Sequence, residues 1–341
     1  MSPSPRPPLR DCSGVRRRLA VLAVGALLLL GAGCAAPRGA MTAAGERQPP
    51  RGRFVDVGGR KLRIFCAGPE NSGPTVVLEA GAFGFSADWA VVQQKLADRG
   101  VRSCAYDRAG LGYSDPAPGP RDGVHVAEDL EKLLVAAHMP RPYVLVGHSM
   151  AGVRIWLFYA RNRDKTAGLV FVDAATPYII TRRESDPLLH GFSTLSRLAG
   201  LGASVGVLKA FGFMGDTIGL PTEPAAEKRW AFGDAAHNNA AVQEVLLWRK
   251  AAAQAAEAGA LDPDLPVAVI TASHGDGGPW RQAYDEPAAR SRRGYSVDVT
   301  GANHANLLGF RYADEIVKGI DFVLAAAHDR SSGSGQARAG E

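Results

Sequence analysis

The chain has 341 residues, 46% of them hydrophobic, enough to bury a sizeable core in one large domain with an insertion or in two domains. Its formal charge of +5 sits almost wholly in residues 1–18, where Arg6, Arg10, Arg16, Arg17 and Arg18 stand against Asp11. The remainder is close to neutral, which removes the electrostatic footprint that nucleic-acid binding needs.

The basic start leads into an uncharged run, Leu19 to Gly33, that ends in small residues before Cys34. A positive segment, a short apolar segment and small residues together describe an export signal. The run falls short of the roughly 18–20 residues of a spanning helix. Gly31-Ala32-Gly33-Cys34 resembles the lipobox of bacterial lipoproteins, in which the cysteine becomes the lipidated first residue. It departs from that pattern where Gly31 replaces the preferred leucine, with Leu30 one place early. The expectation is a signal over 1–33, lipidation at Cys34 and a flexible tether over 34–50. The product is exported, as a cell-envelope lipoprotein or in secreted form. Ordinary cleavage nearby and an uncleaved anchor are the alternatives.

Phe54 to Val57, Gly58-Gly59 and Leu62 to Cys66 alternate apolar and polar about a two-glycine turn, which predicts a β-hairpin. Pro74 to Gly81 is an apolar strand running into a glycine turn. Ser86 is expected to cap a helix through Trp89, Val91, Val92 and Leu96 that closes at Gly100. A strand from Val101 to Tyr106 precedes Asp107-Arg108-Ala109-Gly110-Leu111-Gly112-Tyr113-Ser114-Asp115. Its glycines mark a tight turn that the charged residues brace. Ala127 to Met139 forms an amphipathic helix.

Tyr143 to Val146 is a buried strand, and Val153 to Ala160 a helix. Between them lies Gly147-His148-Ser149-Met150-Ala151-Gly152. Strand, sharp turn and helix form the context that gives Gly-x-Ser-x-Gly its meaning: a serine held in strained backbone above the sheet. Ala151 stands where the commonest form has glycine. Leu169 to Val172 is a strand ending at Asp173, and residues 178–262 read as helices and loops. Alternation resumes at Pro266 to Thr271 and at Tyr295 to Val299, followed by Gly301-Ala302-Asn303-His304. A helix from Tyr312 to Ala327 closes the chain, and the Ser/Gly-rich tail, 330–341, is expected to be disordered.

Alternating strands and helices predict an α/β fold with a mainly parallel sheet covered on both faces, and functional groups at the carboxyl ends of its strands. Ser149, Asp173 and His304 each follow such an end. Leu78-Glu79-Ala80-Gly81, the Tyr106 to Asp115 segment and the Gly147 to Gly152 elbow together resemble the α/β-hydrolase superfamily, closest to a bacterial group carrying all three motifs. The resemblance covers 51–329 and implies a core over 51–177 and 263–329 with a helical cap over 178–262.

The resemblance implies a serine hydrolase that cleaves carboxylic esters through an acyl-enzyme. A serine hydroxyl needs an adjacent base, and His304 occupies the expected place in the Ser…acid…His order. The acid has two candidates. Asp173 lies directly at its strand end, and Asp276 lies in the loop after Pro266 to Thr271; the strand-end position favours Asp173. The oxyanion hole falls to the backbone N–H groups of Met150 and Ala82. Dehalogenases and epoxide hydrolases, which use an aspartate nucleophile, are disfavoured by serine at 149. Thioesterase, lipase, amidase and acyltransferase chemistry, or a silent binding protein, are the alternatives. The sheet order of the superfamily brings the end of the second strand to the start of the fourth, which implies a Cys66–Cys104 disulfide. Leu195, Leu198, Leu201, Val205, Val207, Leu208, Phe211, Phe213 and Met214 are apolar enough to line an acyl pocket, but are expected rather to pack the cap onto the core; a lipid-facing lid is the minor alternative. No metal, cofactor or partner protein is predicted. The substrate is a small-molecule or lipid ester, with membrane attachment through the N-terminal lipid.

Overall fold

The computed structural model describes Arg47 and residues 50–70, 73–182, 185–273 and 279–338, without the side chains of 213–215, 279–280 and 331–338. The expected signal, Cys34 and Asp276 lie outside these residues. Eight strands form one sheet, β1 (Arg53–Asp56), β2 (Lys61–Ala67), β3 (Thr75–Glu79), β4 (Ser103–Tyr106), β5 (Tyr143–His148), β6 (Thr166–Val172), β7 (Val267–Ala272) and β8 (Gly294–Val299), in the order β1-β2-β4-β3-β5-β6-β7-β8. The β1–β2 hairpin and the β2–β4 pair are antiparallel, and every other neighbour is parallel. Gly58 and Gly59 take positive φ (101° and 84°) at the hairpin turn, where only glycine is unstrained.

The period-two alternation of the strands divides the core into two layers. Val77, Leu145, Phe171 and Val269 face α2 (Gly123–Ala136) and α3 (Ala151–Arg161), through Leu130, Leu133, Val153 and Ile155. Val76, Leu78, Val146, Val170 and Ile270 face α1 (Ala90–Asp98) and the last helix (Ala313–Arg338), through Val92, Leu96, Ile316 and Ile320. Each such side chain fully buried is worth about 1.5–3 kcal/mol. Cys66 and Cys104 face each other across β2 and β4 and are joined in a disulfide.

Between β6 and β7 the chain is helical: a one-turn helix at Pro177–Ile180, then α4 (Asp186–Ser204), a 3₁₀ segment (Val207–Thr217), α5 (Thr222–Gly233), α6 (Ala235–Leu246) and α7 (Trp248–Glu257). Helix α7 packs with the core. Ala251, Ala252 and Ala255 join the layer beneath α2 and α3, and the N–H of Val124 donates to Gln254. The cap proper is therefore α4 to α6. Helices α8 (Pro279–Ala289) and α9 (Ala313–Arg338) complete the sheet's cover.

Three expectations are corrected. Ser86 does not cap a helix: residues Ser86–Trp89 form a 3₁₀ turn after Phe85, the Ser86 hydroxyl accepts from Arg63, and its N–H donates to Asp107 at 3.0 Å. The tail is not disordered as far as Arg338, since α9 continues to that residue. Once a packed helix is nucleated, each added residue gains a hydrogen bond, and a glycine costs only about 1 kcal/mol. In α4 most of the large apolar side chains, Leu189 excepted, do not pack inward. Leu195, Leu198, Leu201 and Val205 are exposed, whereas Ser196, Gly200 and Ala203 are buried. Close approach of α6 explains this, because a Cβ on Gly200 would lie 3.0 Å from Val242.

Candidate active site

The sharp turn between β5 and α3 places Ser149 at the carboxyl edge of the sheet with φ of 58°, left-handed backbone that a residue with a Cβ adopts only under constraint. The constraint is visible in the packing. A Cβ on Gly152 would lie 2.3 Å from the Ala175 carbonyl oxygen, and one on Gly147 3.0 Å from the backbone of Ala151. Glycine is required at both, whereas Ala151 fits, fully buried, as the first residue of α3. The Ser149 N–H donates to Val172 at 3.2 Å, and its carbonyl accepts from the Ala175 N–H at 2.9 Å. The elbow is thus tied to the end of β6.

That end carries Asp173, also at positive φ (43°). Its Oδ1 accepts from the N–H of Ala272, the last residue of β7, at 3.2 Å, and its Oδ2 lies 2.6 Å from Nδ1 of His304. His304 follows β8 and reaches back, so that Nε2 lies 2.9 Å from Oγ of Ser149. The carboxylate is buried (4% exposed) and the imidazole half open (54%), the placement of an orienting acid beneath a base that meets solvent. Three residues from three strand ends form one hydrogen-bonded line. The other candidate acid, Asp276, is outside the described residues, and Asp173 already occupies the Nδ1 side of the ring.

His148 supports this line from inside the elbow. Its ring lies 4.5 Å from that of His304, centroid to centroid, and its Nε2 lies 2.9 Å from the His304 carbonyl oxygen. Burial, reinforced by His304, lowers its pKa to about 3, so His148 stays neutral and donates that bond.

The turn after β3 runs beside Ser149. A Cβ on Gly81 would lie 2.7 Å from Cβ of Ser149, so the loop that carries Ala82 is pressed against the elbow that carries Met150. Phe83, next in the loop, has φ of 55°. Its carbonyl oxygen accepts from two cap side chains, Lys228 Nζ at 3.2 Å and His237 Nε2 at 3.2 Å. The Gly112 N–H donates to His237 Nδ1 at 2.9 Å, which fixes the tautomer. Burial, and then Lys228, lowers the His237 pKa to about 3.

Arg108 holds the same loop from below. Its guanidinium donates to the carbonyl oxygens of Ala80 (2.8 Å) and Gly81 (2.9 Å) and pairs with Glu79 and with Glu244 of the cap, each at 2.9 Å. Glu244 also pairs with Arg121 and Arg154. Burial alone would raise the Glu244 carboxyl; the guanidinium groups of Arg108, Arg154 and Arg121 outweigh it and hold the pKa at about 2. The braced turn expected of Asp107, Arg108 and Asp115 is present, and Arg108 reaches well beyond it. Asp107 accepts from the Tyr113 N–H at 2.9 Å, and Asp115 from the Lys61 N–H at 2.8 Å. The roles of Glu244, Lys228 and His237 were missed in the sequence, where no local pattern ties a cap helix to a turn far away in the chain.

An apolar cavity of about 540 Å³ separates the cap helices and reaches the loop at Phe83; Phe192, Leu195, Leu198, Leu208 and Phe232 line it.

A family model described as alpha/beta hydrolase fold matches residues 74–309. The chain belongs to this family. Among curated proteins, "Probable transporter efuK" of Hormonema carpetanum is 39% identical over 135 residues, which are 38% of this chain and 19% of that protein. The chain thus spans under a fifth of that relative's length. Among solved structures, an esterase from Thermogutta terrifontis superposes with a TM-score of 0.57 at 18% identity, covering 80% of this chain and 99% of that one. The epoxide hydrolase CorEH gives 0.61 at 19%, covering 79% and 97%. At these identities the likeness shows the fold.

Proposed function

We propose that the protein is a serine hydrolase that cleaves carboxylic esters through an acyl-enzyme, exported and held at the cell envelope through Cys34 or secreted. The observation that carries this reading is the line from Ser149 Oγ through His304 to Asp173, with contacts of 2.9 and 2.6 Å. Ser149 Oγ attacks the carbonyl carbon while Nε2 of His304 takes its proton. Asp173 orients the ring and stabilises the imidazolium. The N–H groups of Met150 and Ala82 receive the developing oxyanion. The same proton returns to the departing alcohol, and water, activated by His304, releases the acid. A serine at the elbow favours this course over aspartate-nucleophile chemistry, whatever the fold shared with epoxide hydrolases. The cavity at Phe83 suits the apolar part of a small-molecule or lipid ester.

Rapid mixing with a p-nitrophenyl ester tests the proposal. A burst of p-nitrophenol, with one acyl group added to the peptide containing Ser149, is expected. Turnover without any acyl adduct, on a protein whose Ser149→Ala variant is equally active, would rule it out.

A further inference from the structure

We propose that the outward face of α4 is a docking surface for a lipid bilayer carrying anionic headgroups. Leu188, Leu195, Leu198, Leu201 and Val205 are each 61–71% exposed. At 3.6 residues per turn they fall within about 140° of arc. The opposite side of the helix buries Leu189, Ser196, Gly200 and Ala203. The helix therefore turns most of its bulk outward and its small residues inward, the reverse of what solubility favours, and Val207 extends the exposed patch beyond its end. A contiguous apolar surface of this kind marks an interaction site.

Charge, position and access identify the occupant. Residues 187–215 contain no Asp or Glu, and their basic residues, Arg197 and Lys209, are exposed. Neither has an acidic partner among the described residues. Basic groups rimming an apolar helix face suit an interface of anionic phospholipid. The chain also enters the described structure where α5 of the cap meets the core, the Arg47 guanidinium lying 5.1 Å from the ring centre of Tyr113. The Arg47 guanidinium lies 5.2 Å from the ring centre of Trp230 in α5, and Arg51 pairs with Glu227 of the same helix at 2.8 Å. A lipid on Cys34 would leave thirteen residues to Arg47, a reach of at most about 45 Å. Such an anchor would keep the point where α5 meets the core within that distance of the bilayer. No helix among the described residues is long and apolar enough to cross a membrane. Finally, Leu195 and Leu198 belong both to the exposed face and to the lining of the 540 Å³ cavity. An apolar chain leaving the bilayer would enter the cavity without crossing water. That last point rests on the ester-hydrolase reading; the docking itself does not.

The test uses the full chain on vesicles of phosphatidylethanolamine and phosphatidylglycerol. An environment-sensitive fluorophore is placed at Leu198→Cys and, in a separate protein, at Lys132→Cys on α2. Unsubstituted protein carried through the same labelling gives the background. Nitroxide-bearing lipids should quench the probe at 198 several-fold more than the probe at 132, and Leu201→Cys should repeat the result. Equal quenching at both positions, or a probe at 198 as open to aqueous iodide as the one at 132, would overturn the proposal. So would shielding of 198 that follows protein concentration and dimer mass without lipid, which assigns the face to a second copy. The readout needs no turnover, so its failure is distinguishable from failure of the hydrolase reading.

Discussion

Glu244 on α6 of the cap pairs with Arg108 of the core at 2.9 Å, with both side chains all but sealed from solvent. Through Arg108, which also donates to the Ala80 and Gly81 carbonyl oxygens, the cap and the loop beside Ser149 share one buried guanidinium. Removing one partner of a buried pair leaves an uncompensated charge. Glu244→Gln should lose about 3–5 kcal/mol of stability, read from urea unfolding. A loss below about 1 kcal/mol would show that the three arginines find other compensation.

Arg108→Lys keeps the charge but loses the fork that grips two carbonyl oxygens at once. The loop carrying Ala82 should shift, and a misplacement near 1 Å costs about 10²-fold in rate. The expected outcome is a fall of that size in kcat on a dissolved short-chain ester, with KM little changed. A variant that raised KM alone would place Arg108 in substrate binding instead.

Asp173 meets His304 through one short contact and also accepts from the Ala272 N–H. Asp173→Asn should favour the wrong tautomer of His304 and lower kcat by about 10⁴-fold. Asp276→Asn should retain activity. The reverse pattern in ester hydrolysis would transfer the acid's role to Asp276.

The two buried histidines make stability pH-dependent. The His148 and His237 pKa values stand near 3 in the fold, against an ordinary value of 6.5. Between these values the unfolded chain binds protons that the native protein does not, so stability falls as pH drops below about 6.5. Each histidine contributes up to about 1.4 kcal/mol per pH unit. Buried Asp88 and Asp107, whose pKa values are raised by desolvation, act in the opposite direction. Comparison with His237→Gln isolates the histidine. Denaturant midpoints from pH 6.5 to pH 5 should fall less steeply in the variant, and parallel slopes would contradict the assignment.

The Cys66–Cys104 bond closes a loop of 38 residues, worth roughly 4 kcal/mol in the chain-entropy model. Cys66→Ala/Cys104→Ala should unfold at correspondingly lower denaturant. Unchanged stability would mean that residual structure already restricts the unfolded chain or that native strain offsets the gain.

The convergence of the candidate residues was legible in the sequence because a parallel sheet gathers strand ends on one edge. Ser149, Asp173 and His304 each follow an apolar run, and the chain order left few other arrangements. The glycines of the elbow were legible for the same reason, since close crossing of strand and helix forbids side chains. What escaped were features set by one element acting on another. The α4 pattern was read as inward-facing because apolar residues usually are, but the tight approach of α6 at Gly200 admits only small ones. Ser86 carried a capping residue's chemistry, yet the buried Arg63 and Asp107 claimed its hydroxyl and N–H. Glu244 had no local signature at all, because its partners come from distant parts of the core.

The most direct test of the central claim is labelling of the folded protein with a fluorophosphonate, locating the modified residue by mass spectrometry, with His304→Ala alongside. A single adduct on Ser149, formed at least about 10²-fold more slowly in the variant, is the predicted result. No adduct on Ser149 in a protein that binds ester ligands would contradict it and assign the site to recognition without catalysis.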